Sequence, residues 1–214
     1  MSTMDALLDF PVVDGRELPD DYRNVLHPGE IISDGAGVRH RLPRYFYQIE
    51  SWQKARETNL APTFGLYEFI NTDLREARVL HGFPRYVPLA IAHMATHLSV
   101  FRQHVGTYVH IAANGGYRSP GHAISDDATP HLWGTAVNIY RIGDDFLDSP
   151  ETIGRYTELI KRLLPGVWVR PYGFDVGGTV DHLHVDLGRF VLSPREKATC
   201  ADGSGGSGEH EPSG

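Results

Sequence analysis

Two amphipathic helical segments, set among short strand-like runs, constrain the fold of this chain most. VPLAIAHMATHLSVFRQHVG (residues 87–106) places Ile91, Met94, Leu98, Phe101 and Val105 three or four apart, which predicts one buried stripe. Pro88 suits a first helical turn and Gly106 a C-terminal cap. SPETIGRYTELIKRLL (149–164) opens with Ser149 as N-cap and Pro150 in the first turn, then repeats Ile153, Tyr156, Ile160 and Leu163. TYVHIAA, GTAVNIYRI, GVWVR and DHLHVDL read as strands, and NGG at 114–116 as a turn. There is no regular βαβ rhythm. The expectation is an α+β fold: one domain with a small antiparallel sheet, its strands near 107–113, 134–140 and 181–187, flanked by helices. Earlier, RYFYQIESWQKARE carries Phe46, Ile49 and Trp52 at helical spacing and predicts a further helix.

The remaining segments bound this domain. Residues 1–60, rich in Pro, Gly and acidic side chains, read as an extension packed on a core domain at 61–197. From 198 to 214 the chain, CADGSGGSGEHEPSG at its end, lacks apolar anchors and reads as a disordered tail. A net charge of −7 disfavours nucleic-acid or anionic-membrane partners. Cys200 is the only cysteine, which excludes an internal disulfide and a cysteine zinc cage. The acidic start has neither the basic nor the apolar part of a secretory signal, and no apolar run is long enough to span a bilayer; the expected compartment is the cytoplasm.

Twelve histidines raise the question of metal, and they fall into three groupings. His93, His97 and His104 share a helical face, but Met94 stands where a zincin places its glutamate base, so a half-buried polar face is favoured. In DHLHVDLG, strand alternation points His182, His184 and Asp186 to one side. That is poor core material unless each side chain finds a buried partner. The third grouping, GGYRSPGHAISDDATPHLWGTAVNI, joins a glycine turn, a loop arginine and a histidine that leads into a strand.

The second and third groupings together resemble the zinc D-Ala-D-Ala carboxypeptidase family, whose fold is shared with the hedgehog signalling domain. Three motifs carry the likeness: Gly116–Tyr117–Arg118–Ser119–Pro120, the run from Thr129 through His131 to Asn138, and His182–Leu183–His184. FGLYEFINTDLREARVLHGFP resembles the family's lead-in helix, and the likeness spans about residues 64–190. It implies a hedgehog/DD-peptidase-like fold, with His131, His184 and position 138 holding Zn2+. It further implies His182 as general base or proton shuttle, Arg118 on the developing oxyanion or the substrate, and Ser119 with Tyr117 at the substrate. Three protein ligands leave a fourth zinc position for a water acidified to a pKa of about 7.

The departure is Asn138, where the family has an aspartate ligand. A neutral amide oxygen is the weaker donor. Three arrangements follow: zinc on two histidines and an amide, a substitute carboxylate from Asp186, Asp181 or Asp175, or a cleft without metal. The leading expectation is a zinc-dependent peptidase or amidase acting on a small peptide or a peptidoglycan-derived substrate. The alternative is a catalytically inactive peptide- or glycan-binding module. A two-histidine, one-carboxylate iron site through Asp186 is a third reading.

Overall fold

The computed structural model describes residues 10–125, 128–174 and 181–194. The expected tail and Asp175 lie outside these residues. The chain opens with β1 (Val12–Asp14), α1 (Asp20–Leu26), the hairpin β2 (Ile31–Ser33) and β3 (Arg39–Arg41), then β4 (Tyr45–Ile49) and α2 (Trp52–Glu57). It continues through β5 (Asn59–Ala61), β6 (Phe64–Gly65), α3 (Leu66–Phe69), β7 (Arg85–Pro88) and α4 (Ile91–Val105). The last third holds β8 (Val109–Ile111), β9 (Ala136–Ile142), β10 (Asp145–Phe146), α5 (Pro150–Leu163), β11 (Trp168–Val169) and β12 (Leu183–Asp186). This is a single α+β domain with small antiparallel sheets and a few helices.

The main sheet is built on β9, which takes β8 along one edge and β12 along the other; β11 follows β12, and β10 closes a hairpin on β9. Its inner face is apolar. Val109, Val137, Ile139, Ile142, Val169, Leu183 and Val185 all join the core, against Ile91, Met94, Leu98 and Phe101 of α4 and Ile153 and Ile160 of α5. Both helices form where the apolar spacing places them, but Pro88 does not open the first: it ends β7, and α4 begins at Ile91. Ser149 accepts the Thr152 N–H as N-cap of α5, and Gly106 caps α4 in the left-handed conformation.

One helix was misplaced by the sequence pattern. Residues 45–49 are the central strand of a second sheet, β1–β4–β7, and the helix begins only at Trp52, capped by Ser51. The reason is two-sided burial. Phe46 packs with Leu26, Leu80 and Tyr86, whereas Ile49 joins the main core, so side chains three apart lie on opposite faces of one strand. A strand covered on both sides imitates the helical repeat, and Tyr-Phe-Tyr-Gln-Ile has the aromatic content of a strand. Because β1 pairs with β4 and β4 with β7, the described residues from 10 to 50 are woven into the same body.

The β2–β3 hairpin has a local task. Leu42 packs with Ala128, Leu132 and Trp133, and the Trp133 indole N–H donates to the Arg41 carbonyl at 2.9 Å. It thereby braces the 3-10 turn Pro130–Trp133, which presents His131.

Candidate metal centre

His184 on β12 lies directly across the ladder from Asn138 on β9, on the face opposite the core. The His131 ring stands 5.1 Å from that of His184, centroid to centroid. Thus three side chains drawn from positions 53 residues apart meet at one point, as the sequence motifs require. The loop reaching His131 fits only with glycine. A Cβ on Gly116 would lie 2.1 Å from the Phe69 carbonyl oxygen, and one on Gly115 would lie 2.8 Å from the Asn138 carbonyl oxygen.

Hydrogen bonding fixes which ring nitrogens remain open. His131 Nδ1–H donates to the Gly116 carbonyl at 2.8 Å, leaving a lone pair on Nε2. His184 Nε2–H donates to Asp186 Oδ2 at 2.9 Å, leaving a lone pair on Nδ1. Asp186 is anchored in turn by the Gly188 N–H at 2.7 Å. Both imidazoles are held toward the neutral form. Burial pushes His131 well below the usual histidine range, aided by the Arg118 charge and by His184. Burial lowers His184 too, with the Asp186 bond opposing it and the Arg170 charge adding to it.

This leaves a conflict at Asn138. Its Oδ1 lies 2.9 Å from His184 Nδ1, and neither atom of a neutral pair carries a hydrogen there. Two changes relieve it: a cation accepting both lone pairs together with that of His131, or rotation of the amide so that its N–H donates. The donor set therefore fits a zinc ion, with two imidazoles and one amide oxygen. Among the described residues no three His, Cys, Asp or Glu side chains gather as metal ligands. Asp186 bonds the ring nitrogen turned away from Asn138 and so orients His184. Asp181, 68% exposed, is taken by His182 Nδ1 at 2.8 Å.

The other expected residues divide. Arg118 is buried beside His131, its N–H reaching the His131 carbonyl at 3.4 Å. His182 stands just before β12 and is partly exposed. Ser119 is turned inward: it is fully buried, and it donates its hydroxyl (2.5 Å) and N–H (3.3 Å) to the Glu76 carboxylate. Tyr117 is also buried, its phenol pushed up by burial and by Glu76. Ser119 thereby ties the Arg118 loop to Glu76. His122, next in the loop, accepts the Ile124 N–H and donates to Asn114 Oδ1 at 2.9 Å. On the helical face noted above, His93 and His104 are exposed and His97 is half-buried.

Sequence reasoning missed Glu76, a buried carboxylate with no motif around it, and Trp168, whose ring packs edge-on 5.8 Å from His184 while 43% exposed. No family model matches the chain, and neither a curated protein nor a solved structure does. Among the described residues no helix is long and apolar enough to cross a membrane.

Proposed function

We propose that the chain is a zinc-dependent peptidase or amidase of the kind its motifs resemble, acting in the cytoplasm on a small peptide or a peptidoglycan-derived substrate. One observation carries this reading: the open nitrogen of His184 meets the Asn138 amide oxygen at 2.9 Å with the His131 ring 5.1 Å away, while the other nitrogen of each ring is already committed. Zinc would be held by His131 Nε2, His184 Nδ1 and Asn138 Oδ1; when bound, it supplies Lewis acidity and a more acidic water. Arg118 would stabilise negative charge as a carbonyl is attacked, and the influence of its charge on His131 supports that role. His182 keeps Nε2 open when Nδ1–H donates to Asp181, so it can accept a proton and pass it to a leaving amine. Asp186 keeps the His184 ring from turning.

The inactive binding module remains the second reading because of the same amide. Rotated, Asn138 satisfies the histidines without metal. Metal analysis of the purified wild type beside His131→Ala and His184→Ala, with a peptide ending in D-Ala-D-Ala as substrate, separates the two. Stoichiometric zinc lost in both variants, with release of the terminal residue by the wild type alone, supports the enzyme. Wild type without zinc after zinc loading, and without hydrolysis, overturns it.

A further inference from the structure

A second site lies at the β8 edge of the main sheet. There a groove of about 650 Å3 opens between α2, α3 and β8, and it includes none of His131, Asn138 or His184. Its volume is that of a small-molecule site. The base is an ion pair: Arg102 donates to Glu68 Oε2 at 2.6 Å and to the Val109 carbonyl at 2.6 Å. Arg102 is only 9% exposed, yet its Nε–H has no acceptor among the described residues. Above this base the lining is open and of one character. Tyr108 is 71% exposed and Tyr67 43% exposed. Asn59 and Asn71 are exposed, and their amides bond to no described residue.

Exposed aromatic faces alternating with unpaired planar amides fit a ligand with apolar C–H faces and a rim of hydroxyls. We propose that this groove binds a neutral saccharide chain. Charge argues against a phosphate-bearing ligand, because Glu68 neutralises Arg102 and Arg56 is the one uncompensated guanidinium on the lining. Backbone argues against a peptide added as a strand, because the Val109 carbonyl of β8 is already taken. In the proposed mode the sugar rings stack on Tyr67 and Tyr108, and their hydroxyls pair with the exposed amides of Asn59 and Asn71. The assignment is independent of the metal centre, so either can fail alone.

Tri-N-acetylchitotriose, maltotriose and an N-acetylated alanine tripeptide are titrated into the full chain, reading intrinsic tryptophan fluorescence, to which Trp52 at the groove contributes, and heat by calorimetry. At least one saccharide is expected to bind with Kd below about 10 mM, as for a shallow site. Tyr108→Ala and Asn71→Ala, both exposed positions, should each weaken it about tenfold or more, with zinc content and melting temperature unchanged. Binding of neither saccharide overturns the proposal. So does saccharide binding untouched by either variant, or preferential binding of the tripeptide.

Discussion

Asn138→Asp tests the metal centre from both directions, because the change has opposite signs with and without metal. In the wild type the amide can turn and donate to the lone pairs on His131 and His184. A carboxylate cannot donate, and it would face two buried, neutral imidazoles. The metal-free variant should be less stable by about 1–3 kcal/mol at pH 8, the usual cost of unsatisfied buried polar groups. That deficit should shrink on acidification. A carboxylate beside His184 raises the folded pKa of that histidine above its unfolded value. Its stabilising pairing is then complete below the unfolded pKa and is lost as pH rises through the folded one.

With zinc the sign reverses. A unit negative charge about 4 Å from a divalent cation gains about 8 kcal/mol gross at an effective dielectric near 20. Desolvating the carboxylate removes several of these, leaving about 3 kcal/mol, or roughly a hundredfold in affinity. By mass action saturating zinc then adds about 2.7 kcal/mol more to the variant than to the wild type, so the zinc-induced rise in melting temperature should be about 5–10 °C larger in the variant, offsetting its metal-free deficit. The assay is thermal unfolding in chelator and in excess zinc, paired with competition titration of zinc. An unchanged zinc affinity would refute the reasoning, since residue 138 would then not touch the metal.

Three further outcomes follow from the same geometry. In chelator, wild-type stability should fall as pH drops below about 6.5, because the buried His131 and His184 resist a proton that the unfolded chain accepts; their depressed folded values give a limiting slope of about 2.7 kcal/mol per pH unit, measured by denaturant titration from pH 8 to 5. Glu76→Ala strands the Ser119 hydroxyl and N–H and the Ala77 N–H, and should cost about 3 kcal/mol or more, whereas Glu76→Gln keeps one acceptor and should cost less; equal losses in chemical denaturation would contradict these bonds. Arg118→Lys should reduce peptide hydrolysis about 100- to 1,000-fold with folding intact, since an ammonium does not reproduce the guanidinium fork; a fully active variant would leave Arg118 with a packing role alone.

Much of the main sheet was legible because its elements are locally explicit. α4 and α5 each bury one stripe between recognisable caps, and β9 and β12 each alternate toward the core. The convergence of His131, Asn138 and His184 was legible from motif order, since antiparallel pairing of two strands suffices to set residues 138 and 184 opposite each other. Residues 45–49 were not, because burial on both faces hides strand alternation. Glu76 was not, because its meaning comes from Ser119, 43 residues away, and nothing local distinguishes a buried carboxylate from a solvated one.

Asn138 itself shows where a motif stops and chemistry begins. Position follows from pattern, but what an amide does between two imidazoles depends on which ring nitrogens are already spent. Gly116 spends one on His131, and Asp186 spends one on His184. Only after both are counted does the amide oxygen face a lone pair without a proton between them. On the proposed reading, an amide at position 138 would hold zinc more weakly than a carboxylate and could also close the site without metal; zinc titration of the wild type beside Asn138→Asp measures that difference directly.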